Sequence, residues 1–381
     1  LSVLSATLIV RDEAAVLPRC LVSLRDLVDD IVVVDTGSKD GSVDIAAALG
    51  ARVFHFEWRN DFSAARNFAL SQARGAWILY IDADECARLL RRGALDATLN
   101  DPGLIAATVQ FRSRTGFTRY QECRLFRNDP RIRFRNVIHE TMVPDVHAVA
   151  HSDDLGIGTS PLALDHFGYD GNQQHKHLRN IPLLRARLAR DPQHVYSWNH
   201  LGQALAGMGD MGSAVATWQH AIDVVRTIGV RSALDALPYG SLLLCPDAAA
   251  TTAGLLDEAL RCFPQDYLFR WLLGRRLLDD EQFAAALVLF EELAAIDAET
   301  FCSDNGVAYD VRIFGVSTCE AAALCHFRLG HYEASAWYYE RASAADPHNP
   351  AHQVRKRLAT ARHLSTTSRE NDGIGTTRSD P

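Results

Sequence analysis

The chain has 381 residues, of which 48% are hydrophobic and 23% charged. That composition excludes a fibrous or wholly disordered protein and supplies core for two or three domains of about 150 residues each. The formal charge of -8 argues against a nucleic-acid partner, and the longest apolar runs, 4–10, 31–34 and 76–81, are too short for an integral membrane segment.

The eight cysteines, at 20, 86, 123, 245, 262, 302, 319 and 325, show no short paired spacing of the zinc or redox kind. They read as reduced, mostly buried thiols of a cytoplasmic protein. The start, Leu1-Ser2-Val3-Leu4, has neither a basic nor a long apolar leader segment, so no export signal is expected.

Along the first half, strand-like runs at 4–10, 31–34, 52–56 and 77–81 alternate with helix-like stretches near 14–26, 41–49 and 61–73. The alternation predicts a parallel α/β sheet with its ligands at the C-terminal strand ends. Strand-like pieces follow at 104–111, 118–126, 132–134 and 162–166, with the polar 151–160 segment read as a loop that closes over the ligand. After Gly171 the chain reads as helix pairs at 191–224, 232–263, 266–297 and 316–346. Their first three turns, at Gly209-Asp210, Cys245-Pro246 and Asp279-Asp280, recur close to the 34-residue tetratricopeptide period. The expected division is 1–170 catalytic, 171–190 a linking helix, 191–363 helical repeats and 364–381 a mobile tail.

The strongest chemical signal is the buried-strand pattern Ile78-Leu79-Tyr80-Ile81 followed by Asp82-Ala83-Asp84-Glu85. Alternating acids at a strand end deliver Asp82 and Asp84 to one side of a turn, where carboxylate oxygens can hold Mg or Mn against a diphosphate. Helix capping after residue 85 would explain one acid and leave the cluster unexplained. A second strand ends in an acid at Asp35, followed by the polar turn Thr36-Gly37-Ser38-Lys39-Asp40-Gly41-Ser42. Asp35 could accept a hydrogen bond from a nucleobase, and Asp40 could cap the next helix or steady the loop. Neither a P-loop nor a dinucleotide fingerprint is present. Arg66, in Phe62-Ser63-Ala64-Ala65-Arg66-Asn67, is a positive fork suited to a base or diphosphate, with a surface salt bridge as the alternative.

In order, Val10-Arg11-Asp12-Glu13, Val34-Asp35-Thr36-Gly37-Ser38-x-Asp40-Gly41-Ser42, Phe62-Ser63-x-Ala65-Arg66-Asn67 and Asp82-x-Asp84-Glu85 resemble the signature of family 2 glycosyltransferases with a GT-A fold. The resemblance is firm over 4–140 and looser to about 170. With the repeats, the chain is similar to the bacterial subgroup that includes peptide S-glycosyltransferases. The resemblance implies an α/β GT-A nucleotide-sugar-binding domain followed by an all-α tetratricopeptide-like repeat domain. It also implies an inverting enzyme that uses a nucleotide-sugar donor and Mn or Mg. On it, Asp35 recognises the base, Arg66 contacts the nucleotide, and Asp82 and Asp84 meet ribose and metal diphosphate. His166 is then expected near the metal, with a buried structural histidine as the alternative.

Inversion needs a group that takes a proton from the acceptor. Glu140, which follows a strand-like run and has His139 beside it, is the leading base, and Glu85 is its rival. Of the arginines at 124, 127, 131, 133 and 135, Arg124 is placed nearest the phosphates. The repeats are expected to position a peptide or glycan acceptor or to form a homodimer. The other readings are a scaffold or peptide-binding repeat protein with a vestigial catalytic domain, and a sugar-phosphate nucleotidyltransferase. Against the latter, the 10–14 segment lacks the glycines of a triphosphate loop.

Overall fold

The computed structural model describes residues 3–91, 93–167 and 174–374. Contacts divide the chain into two compact units, 1–248 with 302–308, and 249–301 with 309–381.

The first unit opens with the anticipated alternation: β1 (Leu4–Val10), α1 (Leu17–Leu24), β2 (Asp30–Asp35), α2 (Ser42–Ala48), β3 (Arg52–His55), α3 (Phe62–Gln72) and β4 (Trp77–Tyr80). β1 pairs in parallel with β2 and β4, and β2 with β3. The β-branched runs fit a sheet covered on both faces. α1 buries Leu17, Cys20, Leu21 and Leu24, the i, i+3, i+4, i+7 stripe of a core-facing helix. α3 starts where Asp61 accepts a hydrogen bond from the Ala64 N–H, a cap worth about 1 kcal/mol.

The unit continues with β5 (Glu85–Leu89), α4 (Ala94–Asn100), β6 (Leu104–Arg112), β7 (Arg119–Arg127), α5 (Val143–Asp153) and β8 (Gly156–His166). Then come α6 (Gln174–Arg190), α7 (Val195–Gly207), α8 (Met211–Ile228), α9 (Leu237–Leu243) and the two-residue β9 (Cys302–Ser303). The main path of the nine-stranded sheet runs β3-β2-β1-β4-β7-β6-β8-β5, with β9 beside β7. β7 is antiparallel to both β4 and β6. β8 runs parallel to β6 and antiparallel to β5.

Four expectations for this unit are corrected. The 151–160 segment is no loop, because α5 ends at Asp153 and β8 starts at Gly156. Backbone pairing to β6 makes a strand there without an apolar run, and the proposed closing loop is lost. The 132–134 run forms no named strand. Ile132 and Phe134 are buried, and the Asn67 side chain takes up both backbone groups of Phe134, at 2.8 Å each. The residues after Asp84 form β5, so the helix-capping alternative has no helix to cap. The 232–263 stretch is not a clean helix pair: Pro238 sits in the first turn of the seven-residue α9 and Pro246 follows its end, and 3-10 turns at Ala233–Ala236 and Pro246–Thr251 bound it.

The second unit contains α10 (Leu255–Cys262), α11 (Tyr267–Asp279), α12 (Phe283–Ala294), α13 (Val316–Arg328), α14 (Tyr332–Ala345) and α15 (Pro350–Ile374). The hairpins α11/α12 and α13/α14 match the expected pairs, as α7/α8 does in the first unit. α15 continues through 364–374, where a mobile tail is expected from the sequence, because an established helix adds a hydrogen bond with each further residue. Residues 375–381 and the Gly171 boundary lie outside the described residues. All eight cysteines are free thiols, four of them buried, and no described helix is long and apolar enough to cross a membrane.

Gly274 on α11 shows what sets helix spacing. A Cβ there would lie 2.8 Å from the buried Phe290 ring of α12. Gly274→Val should lower stability by about 1–3 kcal/mol in chemical denaturation, since overpacking must move a buried ring or a helix. An unchanged midpoint would show that this contact does not hold the two helices at their distance.

Candidate active site

The C-terminal ends of β1, β2 and β4 meet the end of β8 and the start of α6 around a cavity of about 220 Å³. Its wall includes Arg11, Glu13, Thr36, Asp82, Asp84, His166, Lys176 and Arg179, with Trp58 and Phe62 as aromatic surface.

The two turns that frame it are laced together. Ser38 Oγ accepts from the Asp12 N–H at 3.0 Å, Ser42 Oγ from Glu13 N–H at 2.8 Å, and Asp40 Oδ2 from Ala14 N–H at 3.0 Å. In return Asp12 Oδ1 accepts from the Lys39 N–H at 2.7 Å. Asp40 also accepts from the Ser42 N–H at 3.0 Å, so it serves both the helix start and the loop. Asp35 is turned into its own turn, accepting from the Gly37 N–H at 3.2 Å and the Ser38 N–H at 3.0 Å, with His55 Nδ1 at 3.3 Å. Gly37 adopts φ +106°, which permits that turn. Burial opposes the Asp35 charge, but bonds from Ser38, Gly37 and His55 outweigh it and hold the carboxyl below its usual value.

Arg66 is buried and joins two acids. Its Nη2 donates to Asp82 Oδ1 and its Nε to Glu140 Oε1, each at 2.6 Å. Burial works against the guanidinium charge, and Asp82 and Glu140 more than restore it. Asp82 is correspondingly held well below the carboxylate range: burial opposes its charge and is outweighed by Arg66 and Arg124. Glu140 sits in a tight turn whose base is the Arg135–Thr141 bridge, with His139 at φ +52°. The Phe62 N–H donates to the Val137 carbonyl at 3.0 Å, tying α3 to this turn.

Asp84 faces two basic groups, with His166 Nε2 and Lys176 Nζ each at 3.3 Å. Burial disfavours charge on both Asp84 and His166, yet their mutual contact lowers the first and raises the second. Glu85 is fully buried behind the site. Its Oε2 accepts from the Asp82 N–H at 2.9 Å and its Oε1 lies 3.2 Å from Arg124 Nη2. Burial raises its pKa, Arg124 draws it down and Asp82 pushes it up, leaving it near 7. Arg124 is itself buried, with Tyr80 and Phe111 rings at 4.4 and 4.7 Å.

Of the residues singled out from sequence, Asp82, Asp84 and His166 line the cavity; Arg66 and Glu140 are joined to it through Asp82. Asp35, Glu85 and Arg124 are not among the lining residues. The other basic residues of the arginine run pair elsewhere, Arg131 with Asp129 and Asp153, Arg135 with Asp145. Sequence reasoning did not select Glu13, Lys176 or Arg179. Glu13 stood inside a quoted motif, whereas Lys176 and Arg179 reach the cavity through the placement of α6, for which no local pattern gives a signal.

No group of three or more His, Cys, Asp or Glu is assembled around a metal position among the described residues. Two carboxylates on one cavity wall nonetheless fit a hard divalent ion, which takes one or two protein carboxylates and completes its shell with substrate phosphate and water.

Residues 5–144 match the model of the family described as glycosyl transferase family 2. This part of the chain is thus similar to family 2 glycosyltransferase domains. The chain is 38% identical over 218 residues to a TPR repeat-containing protein of Synechococcus elongatus, covering 55% of this chain and 54% of that protein. It is 27% identical over 202 residues to the SPbeta prophage-derived glycosyltransferase SunS of Bacillus subtilis, covering 49% and 45%. The chain thus spans about half the length of these relatives. Among solved structures, glucosyl-3-phosphoglycerate synthase of Mycobacterium tuberculosis, in complex with Mn2+, UDP and glucosyl-3-phosphoglycerate, is 25% identical over 29% of this chain and 44% of that one, with a TM-score of 0.25. The GT-A-like α/β domain is followed by helical repeats, as the motifs suggested.

The Glu13 carboxyl is raised to about 7, by burial first and then by Asp84 and Asp82 against the pull of Lys176. The folded protein therefore holds a proton that the unfolded chain releases near pH 4.5, and Glu13's contribution to stability falls as pH rises from about 4.5 through about 7. Glu13→Gln should gain in melting temperature relative to wild type across that window, measured in chelator. A constant difference would contradict the raised pKa.

Proposed function

We propose that the protein is a glycosyltransferase that moves a sugar from a nucleoside-diphosphate donor to a nucleophilic acceptor, with inversion and with Mn or Mg. The observation that carries this reading is the placement of Asp82 and Asp84 on a cavity wall at the strand ends, with Glu140 joined to Asp82 through one guanidinium.

In this reading Asp82 and Asp84 hold the ion, with His166 beside Asp84, and the ion supplies positive charge that offsets charge gathering on the leaving diphosphate. Asp35 receives the base. Arg66 fixes Asp82 and Glu140 in one geometry, so both ends of the reaction are oriented before substrate arrives. Glu140 takes the acceptor proton as the acceptor atom bonds to the anomeric carbon and the bond to the diphosphate oxygen breaks. Glu140 is favoured over Glu85 as base because the Glu85 side chain is wholly shielded, whereas that of Glu140 is 13% exposed. Glu85, clamped by Arg124, positions Asp82 through its backbone N–H; Arg124 thus acts from beneath the site rather than on the phosphates.

The helical repeats are proposed to present the acceptor, a peptide, a glycan or a small molecule, or a second copy of the chain. The similarity to a TPR repeat-containing protein supports that role. Catalytic residues 1–170, a link at 171–190 and repeats to 363 remain the proposed division of labour, with the first repeat hairpin packed into the same compact unit as the sheet.

Glu140→Gln should lower transfer by about 100-fold or more while leaving nucleotide affinity within about twofold, because general-base catalysis contributes about 10²–10⁴. Asp84→Asn should lose metal-dependent turnover and retain the wild-type circular dichroism spectrum. Donor turnover with full activity in Glu140→Gln would reassign the base.

A further inference from the structure

α6 lies beyond the residues that match the family model, yet its first turns contribute Lys176 and Arg179 to the cavity wall. These positions are three apart and share one helix face. Lys176 Nζ lies 3.3 Å from Asp84 Oδ2, while His166 meets the other oxygen of the same carboxylate. Arg179 stands with its guanidinium 5.1 Å from the ring centre of Phe62, which also lines the cavity. The wall thus carries the carboxylates Glu13, Asp82 and Asp84 facing Arg11, His166, Lys176 and Arg179. A divalent ion on Asp84 cannot keep an ammonium group at the same oxygen, since two cations then crowd one carboxylate. A diphosphate beside that ion offers the displaced ammonium a new anion.

We propose that Lys176 is the counter-ion of Asp84 before substrate binds and passes to the diphosphate when a metal–nucleotide complex binds, so that α6 supplies two phosphate-binding cations, Lys176 and Arg179. The assignment rests on the glycosyltransferase reading of this site. Lysine suits the exchange because its charge is compact and its stem flexible. The helix also gains a function: its first turn reports whether Asp84 is engaged.

The test uses the full chain and two separate titrations. Mn(II) alone is titrated by the paramagnetic resonance of the free ion; inorganic pyrophosphate is then titrated by calorimetry at saturating Mn(II), so that the second step contains no competition at Asp84. Lys176→Gln should bind Mn(II) alone about three- to tenfold more tightly than wild type and bind pyrophosphate about tenfold more weakly, the size expected for one charge-assisted contact. Arg179→Gln should leave the Mn(II) titration unchanged and weaken pyrophosphate. Lys176→Arg, which keeps the charge, should restore most of the pyrophosphate affinity, a rescue that a merely structural role would not produce. Unchanged or weaker Mn(II) binding in Lys176→Gln, or unchanged pyrophosphate binding at saturating Mn(II), overturns the exchange while the transferase reading stands. Absence of Mn(II) binding by the wild-type protein both alone and with pyrophosphate overturns both.

Discussion

The site depends on one buried cation with two acidic partners. Arg66 comes from α3, Asp82 from the end of β4 and Glu140 from a turn 74 residues further along the chain than Arg66. A guanidinium is costly to remove from water, and the cost is offset only when its fork is matched by well-placed acceptors. Here two carboxylates at 2.6 Å meet that condition. Deleting one acid would leave part of the guanidinium fork without its acceptor, a loss of about 1–3 kcal/mol, and deleting both would leave an uncompensated buried charge. The constraint runs through the backbone as well: Asn67, one residue on, holds Phe134 at both of its backbone groups. The turn that carries Glu140 is therefore positioned by the helix that carries Arg66.

Behind that clamp lies a second one. Glu85 and Arg124 occupy the sheet interior, and Glu85 accepts from the backbone of Asp82. Tyr80 stands 5.1 Å from Arg66 and 4.4 Å from Arg124, so one ring contacts both cations. The carboxylate of Asp82 is thus held from its side chain by one arginine and from its backbone by a glutamate that another arginine supports. Such support from behind is what keeps reacting groups in a fixed geometry.

The parallel half of the sheet was legible because its strands are short β-branched runs bounded by helix patterns, and burial on both faces demands that composition. β5 and the first part of β8 were not. Glu85 begins a strand as a buried acid, and Gly158-Thr159 pair through their backbone, so neither stretch carries an apolar signature. The aspartates of the site were legible as acids at strand ends. The roles of Glu85 and Arg124 were not, because a buried ion pair between β5 and β7 depends on strands 39 residues apart coming together. Lys176 and Arg179 were invisible for the same reason. Ser38, Asp40 and Ser42 show the opposite case: the pattern was read, and its use in tying the first two loops together appears only in three dimensions. In the helical part, small residues opposite large ones marked the hairpins; Pro238 and Pro246 broke the period where a fourth was expected.

The strand-end acids are proposed to form a metal-dependent nucleoside-diphosphate site. Calorimetric titration of UDP, GDP, TDP and CDP into the folded chain, each with and without Mn, tests it most directly. One nucleotide is expected to bind tightly, and only with Mn. Failure of all four to bind, in protein whose circular dichroism shows it folded, would contradict it.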